Sequence, residues 1–273
     1  MAMKLGWIAL GGITVGAVCF GVAVAVGGGS VLNHLNDLDF GGWDGPRCQV
    51  SPSGSDASRS LDWTGGDHVA INIPANVHYQ RGQGDQVVVR GDSAVVPLVE
   101  IEDNQIRFNC HMRRFNRRLD ITLPGRDFER YTITGSSDMT LAGIDQPRLK
   151  VRINGSGDIP ARGQAAALAS SVAGSGDGHF ESLDVDSVSI NVAGSGDADV
   201  SPRQRLDVKI AGSGKVTLHS EPRQIETHIA GSGRIIHTDG SVTRKSGLSM
   251  SNDPAPPRPP EPPAPPPPPP GTY

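Results

Sequence analysis

A tripeptide that returns at a nearly constant interval constrains the fold of this chain more than any other feature. Gly-Ser-Gly occurs five times, and an imperfect copy, Gly-Ser-Ser, precedes them, with successive spacings of 20, 19, 20, 18 and 19 residues. A period of about 19 residues is too short for a repeat of paired helices and fits one turn, or rung, of a β-solenoid. The first glycines of the six copies are Gly135, Gly155, Gly174, Gly194, Gly212 and Gly231.

The residues before each full copy alternate between inward and outward positions, which is the pattern of a half-buried β-strand. One rung cannot bury its apolar face alone, so rungs must stack about 4.8 Å apart and align equivalent side chains in columns. The sequence therefore predicts an all-β parallel solenoid with rungs of about 19 residues. The aligned inward positions are Leu149-x-Val151-x-Ile153, Leu168-x-Ser170-x-Val172, Val188-x-Ile190-x-Val192, Leu206-x-Val208-x-Ile210 and Ile225-x-Thr227-x-Ile229.

The opposite phase of the repeat points outward if the alternation continues through the glycines. It carries a small residue, then a serine, then a charged residue, and stacking would turn these positions into a flat polar surface. We call this surface the outer stripe and expect it to be the binding surface of the protein. A corner at the glycines would instead turn the serines inward, and the sequence leaves both arrangements open. The expected contact residues are Ser156, Asp158, Ser175, Asp177, Ser195 and Asp197.

The composition changes along the chain divide it into four parts. Residues 1–26 contain an uncharged run, 5–26, which is long enough to span a bilayer, and Ala23-x-Ala25 resembles a signal-peptidase site. This part is predicted to be a transmembrane anchor or a cleaved signal segment. Residues 27–66 are rich in Gly, Ser and Asp and are predicted to be a flexible linker. Residues 67–250 are predicted to form the solenoid, and the proline-rich residues 251–273 a disordered tail.

Shorter strands precede the repeats and are separated by turn signals. We expect them to form an irregular cap, because an open solenoid end exposes unpaired backbone groups. The residues from Thr238 to Met250 are expected to close the opposite end. The predicted short strands are His68–Ile73, Val77–Tyr79, Gln86–Arg90, Val95–Ile101, Gln105–Phe108 and Leu119–Leu123.

Cys48 and Cys110 are the two cysteines outside the apolar N-terminal run. In an oxidising compartment they could pair and tie the linker to the solenoid, and the alternative is two independent thiols. Without neighbouring histidines or further cysteines they do not predict a zinc site.

The order of motifs resembles a known family. A strand such as VAINIP, then VVVRGD, IRFNC and LDITLPG, followed by strands that end in GSGD, is similar to the head GIN domain, also called the putative auto-transporter adhesin head domain. The resemblance covers about residues 67–240. It implies a right-handed parallel β-helix in an envelope or secreted protein of a bacterium, and adhesion as its function. The chain differs from an autotransporter because its last residues are rich in proline and show no alternating membrane strands.

The stacked aspartates are the candidates for chemistry. Such a column could bind Ca²⁺, or supply the paired carboxylates of a glycoside hydrolase, or only stabilise the turns that follow Gly-Ser-Gly. We favour the structural interpretation, because the later rungs replace the aspartate with Lys215 and Arg234. We therefore predict no catalytic residues, no metal site and no cofactor. His179, His219, His228 and His237 share no convincing spacing and are expected to be ordinary surface residues.

The leading hypothesis is a non-enzymatic, adhesin-like binding protein of the bacterial cell envelope. It would face the periplasm or the exterior from a membrane anchor in residues 5–26, or be secreted if that segment is cleaved. Its expected partner is an envelope polysaccharide or a protein surface, whereas a net charge of −4 argues against nucleic acid. The alternatives are a structural scaffold module that assembles end to end and, less favoured, a carbohydrate-active enzyme. The oligomeric state stays open.

Overall fold

The computed structural model of the chain describes residues 48, 50, 51, 53–112, 117–238, 241–243 and 248–251. The predicted anchor or signal segment, 1–26, lies outside these residues, as does the proline-rich tail after Ser251. Within the described ranges, no helix has the length and apolar character that crossing a membrane requires.

The described ranges are almost entirely β-structure, as predicted. They contain one short 3₁₀ helix, Val96–Leu98. The strands are β1 (Asp56–Asp62), β2 (His68–Ile71), β3 (Ala75–Gln80), β4 (Gln86–Asp92), β5 (Val99–Glu102), β6 (Gln105–Phe108), β7 (Leu119–Thr122), β8 (Arg130–Gly135), β9 (Asp138–Gly155), β10 (Ile159–Gly174), β11 (Gly178–Gly194), β12 (Ala198–Gly212), β13 (Lys215–Leu218), β14 (Gln224–Gly231), β15 (Arg234–His237), β16 (Val242–Thr243) and β17 (Leu248–Ser251).

Parallel pairing between successive rungs confirms the β-solenoid, which has about six turns. Strand β9 pairs with β8 and β10, β10 with β11, and β11 with β12. Beyond β12 the rung is divided between two shorter strands, so that β12 pairs with β13 and with β14, and β13 pairs with β15.

The stacking register is the one that the repeat predicts. The first glycines of all six copies lie opposite one another in a single column, from Gly135 to Gly231. Ile153, Val172, Val192 and Ile210 form a second column and are fully buried. Equivalent apolar side chains therefore pack on one another along the stack, which is how a narrow solenoid closes its core.

Both glycines of the tripeptide lie against the backbone of the preceding rung. Gly174 has a φ of 131°, and a β-carbon there would overlap the carbonyl oxygen of Gly155. The second glycine, Gly176, faces inward, and a β-carbon there would overlap the carbonyl oxygen of Gly157 and lie 2.7 Å from Cγ2 of Ile153. Ser175 lies between them with its side chain exposed. The tripeptide is therefore a corner whose two ends admit no side chain and whose middle residue faces solvent.

An irregular cap covers the N-terminal end of the stack. β4 pairs antiparallel with β1 and β7, and β5 pairs antiparallel with β6. Strand β1 lies inside the segment predicted as a flexible linker, 27–66, so that prediction is wrong for Asp56–Asp62. The cause is the antiparallel pairing with β4, which engages β1 along its whole length although only two of its side chains, Ala57 and Leu61, are partly buried.

The cap also contains an aromatic cluster. Trp63 packs edge-on against Phe128, with ring centroids 5.2 Å apart, and Tyr79 and Tyr131 complete the group at centroid distances of 5.3 to 6.1 Å. One further ring, Phe180 on β11, is fully buried within the rungs, so the aromatic side chains are concentrated near the cap but not confined to it.

A predicted strand in the cap, Val95–Ile101, is only partly correct. The structure has the 3₁₀ helix Val96–Leu98 followed by β5. Pro97 explains the difference, because it has no backbone N–H to donate to a neighbouring strand and its fixed φ suits the first turn of a helix.

The opposite end of the stack is covered by two antiparallel strands. β17 pairs with β14, and β16 pairs with β15. The expected closure by the residues between Thr238 and Met250 is thus confirmed for the backbone.

Cys48 and Cys110 form a disulfide in the structure, with Cα atoms 5.4 Å apart and a sequence separation of 62. The backbone N–H of Cys48 also donates to the carbonyl of His111. The segment before β1 is thereby fixed to the cap.

The corner geometry predicts that substitution of the first glycine destabilises the protein far more than substitution of the serine. Gly174→Ala should lower the free energy of unfolding by about 3 kcal/mol or more, because its φ is unfavourable for alanine and its methyl group would meet the backbone of the preceding rung. Ser175→Ala, the matched control at the next position, should leave stability within about 0.5 kcal/mol of the parent. Urea unfolding of both variants measures this, and equal losses would contradict the corner.

Replacing a buried hydroxyl group is expected to stabilise the protein rather than destabilise it. Ser170 is 3% exposed between Val151 and Ile190, and its Oγ has no hydrogen-bond partner among the described residues. Ser170→Ala should raise the free energy of unfolding by about 1 kcal/mol, because it removes an unsatisfied polar group. The control is Ser189→Ala, which alters an exposed serine. A destabilised Ser170→Ala would show that this hydroxyl is satisfied.

Candidate functional site

The outer stripe lies along the edge of the solenoid that the glycine corners form. Ser156, Ser175 and Ser195 are all exposed, so the serines face solvent rather than the core. Their backbone N–H groups are occupied within the stack: that of Ser175 donates to Gly155 O and that of Ser195 to Gly174 O, both at 2.9 Å. Within the described ranges, the hydroxyl groups of these serines make no hydrogen bond to protein. The stripe therefore presents evenly spaced free hydroxyls.

The aspartates of the stripe have a different role. Each carboxylate accepts a hydrogen bond from the backbone N–H of the equivalent residue in the next rung. Asp158 N donates to Asp138 Oδ1 at 3.0 Å, Asp177 N to Asp158 Oδ1 at 3.2 Å, and Asp197 N to Asp177 Oδ1 at 2.7 Å. These N–H groups lie at the corner, between the strand pairings. The aspartate side chains thus supply the acceptor that the backbone lacks there.

A positively charged side chain lies at each end of this column of aspartates. At the lower end Lys215 N donates to Asp197 Oδ1 at 2.9 Å, and Lys215 Nζ lies 3.1 Å from Asp197 Oδ2. At the upper end Arg118 contacts the carboxylate of Asp138. Asp197 and Lys215 therefore form an ion pair between neighbouring rungs. Lysine has no acceptor for the next rung, and Arg234 N accordingly donates to Gly214 O instead.

The column also extends into the cap, which the tripeptide alone could not predict. Asn76 lies opposite Asp138 on one side and Asp120 on the other, and its Nδ2 donates to Asp120 Oδ1 at 3.2 Å. Arg118 Nη1 donates to Asn76 Oδ1 at 3.1 Å. These residues continue the outer stripe upward from the repeats.

This geometry favours the structural interpretation of the aspartates. One oxygen of each carboxylate from Asp138 to Asp197 is held by a backbone N–H, so a Ca²⁺ ion that used these oxygens would have to displace hydrogen bonds of the stack. The same hydrogen bonds hold the carboxylates in place along the stack. They account for the positions of the aspartate side chains without a bound ion.

A shallow cavity of about 250 Å³ opens on another face of the same rungs. Its polar lining is already internally paired: Gln164 Nε2 donates to Asp145 Oδ1 at 2.8 Å and Arg81 Nη1 to Asp145 Oδ2 at 2.6 Å, while Arg203 contacts Asp184. The hydrogen bonds from Gln164 and Arg81 hold the pKa of Asp145 below its usual range. The cavity therefore resembles a solvated groove between ion pairs.

A histidine cluster lies beside the outer stripe and was missed by the sequence analysis. His179 Nδ1 is 3.0 Å from Asp199 Oδ2, and His219 Nε2 is 3.6 Å from Asp199 Oδ1. Glu181 adds a further carboxylate to the group around His179. Burial raises the pKa of Asp199, but hydrogen bonds from Thr217, His179 and His219 outweigh it and leave the pKa below its usual range.

The signal for this cluster was present in the repeat itself. His179, Asp199 and Thr217 each stand five positions after the first glycine of their rung, and Glu181, Ser201 and His219 each stand seven positions after it. Counting from the glycines would have placed all six on one outward face of three neighbouring rungs.

Comparison with known families confirms the resemblance drawn from the motifs. The family described as "Putative auto-transporter adhesin, head GIN domain" matches residues 115–222, which span the end of the cap and the rungs up to β13. Among curated proteins, none matches the chain.

Three solved structures align with most of this chain. A putative adhesin from Bacteroides fragilis aligns with a TM-score of 0.55 at 18% identity, over 69% of this chain and 99% of that one. A putative lipid binding protein from Parabacteroides distasonis aligns at 0.43 and 19% identity, over 69% and 99% of the two chains. A putative adhesin from the same species aligns at 0.46 and 18% identity, over 68% and 98%. At 18% identity, the alignment with the Bacteroides fragilis protein shows a shared fold and nothing more.

The aspartate column predicts a difference between two substitutions of one residue. Asp177→Ala should lower the free energy of unfolding by about 1 kcal/mol, because the N–H of Asp197 loses its acceptor. Asp177→Asn keeps a carbonyl oxygen at that place and should cost less than half as much. Urea unfolding with unchanged m-values measures both. If the two variants lost the same stability, the charge rather than the hydrogen bond would be the stabilising feature.

Proposed function

We propose that this chain, of which residues 115–222 match the head GIN domain family, is a non-enzymatic, adhesin-like binding protein of the bacterial cell envelope. In this proposal segment 1–26 anchors or exports it, and the solenoid winds right-handed, as in the family it resembles. The solenoid displays the outer stripe to the exterior or the periplasm, and the stripe makes the contact with the partner.

The observation that carries the proposal is the column of exposed serine hydroxyls. Ser156, Ser175 and Ser195 are followed in the same column by Ser213 and Ser232, and all five are exposed. Their hydroxyls are unused within the described part of the chain, whereas the neighbouring aspartates are held by the backbone. The serines therefore supply the contacts, and the aspartates keep them aligned.

The spacing of the column suggests how binding would work. Rungs stack about 4.8 Å apart, so the hydroxyls form a straight row of donors and acceptors. A single exposed hydroxyl contributes little, but several that bind one extended polymer act together, and the combined affinity exceeds that of any one contact. An envelope polysaccharide, which offers hydroxyls along its length, fits this row better than a compact ligand.

The caps bear on the alternative of end-to-end assembly. β1 and β4 at one end and β16 and β17 at the other are antiparallel strands laid over the stack. A filament of solenoids needs open parallel edges, which these strands cover, so the caps count against the scaffold hypothesis.

Replacing hydroxyls on the stripe tests the proposal. The full chain carrying Ser156→Ala, Ser175→Ala and Ser195→Ala should be retained on isolated envelope polysaccharide at least about tenfold less than the parent, because each lost contact weakens the others. Stability should be unchanged, since these side chains face solvent. Peptidoglycan and membrane vesicles are tested in parallel.

The matched control is the triple variant Ser60→Ala, Ser182→Ala and Ser189→Ala, which alters three exposed serines away from the stripe. It should bind like the parent. Retention of the parent on none of the fractions, or equal retention of both triple variants, would refute binding through the stripe.

A further inference from the structure

The histidine cluster brings together side chains from three successive rungs. His179 and Glu181 belong to β11 and Asp199 to β12, whereas His219 directly follows β13. All four point outward, in the segments that follow the glycine corners. The side chains of His179, Asp199 and His219 are 39%, 25% and 37% exposed, which leaves them accessible to a small ion.

The distances within the cluster fit the first coordination shell of a metal ion. Two donor atoms that each lie about 2.1 Å from a tetrahedral ion are about 3.4 Å apart. The distance from Asp199 Oδ2 to His179 Nδ1 is 3.0 Å, and that from Asp199 Oδ1 to His219 Nε2 is 3.6 Å. One donor atom each from His179, Glu181 and Asp199 lies within 4.8 Å of the others.

Within this column an imidazole and a carboxylate lie side by side at His179 and Asp199, and the other histidine of the column, His78, lies opposite Thr140. In the same column the rungs before β11 carry Thr140 and Pro160, and the last rung carries Ile236. A repeat that only needed a polar surface would not require imidazoles and carboxylates at adjacent positions of one face. The combination of imidazole and carboxylate ligands is the set that suits Zn²⁺ and related ions.

We propose that His179, Glu181 and Asp199 form a binding site for one divalent transition-metal ion of the Zn²⁺ type, and that His219 joins them as a fourth ligand. Asp199 contacts His179 through Oδ2 and His219 through Oδ1, so a bound ion takes the place of the hydrogen bond between Asp199 and His179, and His219 turns toward the group. The site links side chains of three successive rungs. It is independent of the polymer contact proposed above.

The surroundings of the cluster support a cation. Asp177 and Asp197 lie on the same outward face, one alternating position before His179 and Asp199, and add negative charge beside the site. Lys215, the nearest cation on β13, is already paired with Asp197. Thr217 hydrogen-bonds to Asp199 and can orient its carboxylate, as residues behind metal ligands commonly do.

Titration of the full chain with Zn²⁺ tests the site, using protein that carries no histidine tag and has been freed of metal. We expect one Zn²⁺ per chain by calorimetry and a rise in melting temperature with Zn²⁺, because an ion that binds only the folded state stabilises it. Co²⁺ should give the visible absorption of a site with nitrogen and oxygen ligands. His179→Ala and His219→Gln should each weaken Zn²⁺ binding at least about tenfold.

His228→Ala is the matched control, because His228 is an exposed histidine on the neighbouring β14. It should bind Zn²⁺ like the parent. Unfolding in the presence of EDTA checks that every variant is folded. If His179→Ala does not fold, His219→Gln, which alters an exposed position, provides the test. Absence of Zn²⁺ binding by the parent at millimolar concentration would overturn the proposal, as would equal binding by parent and His219→Gln.

Discussion

Successive glycine corners touch backbone to backbone, and the rest of the structure depends on that contact. The carbonyl oxygen of Gly155 accepts hydrogen bonds from the N–H groups of both Ser175 and Gly176 in the next rung. Such a close approach leaves no room for a β-carbon on the first glycine. The second glycine faces the core, where a β-carbon would also be too close to its neighbours. The bond from the serine N–H to the first glycine of the preceding rung recurs between all neighbouring copies of the tripeptide, so the strands on either side are held in one register. The core columns and the outer stripe both follow from it.

The acidic column illustrates how a conspicuous surface pattern can serve the backbone. Four aspartates at one repeat position resemble a cation site or a catalytic pair when they are considered as charges. Their positions show that they are acceptors, each for the amide of the rung that follows. Serine, the less conspicuous residue of the tripeptide, retains an unused functional group. The division between residues that build the surface and residues that are free to bind is therefore visible only when each hydrogen bond is assigned.

The repeat made the solenoid predictable, because both the spacing of the glycines and the alternation before them depend on local geometry that every rung shares. Where the chain departs from the repeat, the prediction was weaker. Asp56–Asp62 has few apolar side chains, and its strand depends on pairing with β4 rather than on its own composition. Pro97 changed a predicted strand into a turn. The sequence did not reveal the histidine cluster, because His179, Asp199 and His219 are 20 residues apart in successive rungs and only their positions relative to the glycines relate them.

The hydrogen bond from one rung to the carboxylate of the previous rung has a consequence for the history of the chain. A unit such as Asp158 to Asp177 presents the same acceptor on one side and the same donor on the other. Duplication of such a unit in the gene would insert a rung that fits its neighbours at once, with no compensating change. Lys215 interrupts this interchangeability, because its side chain offers no acceptor to the amide that comes next. The solenoid can thus gain rungs among the aspartate copies, whereas a rung added after Lys215 needs another acceptor for its amide, as Arg234 N finds in Gly214 O.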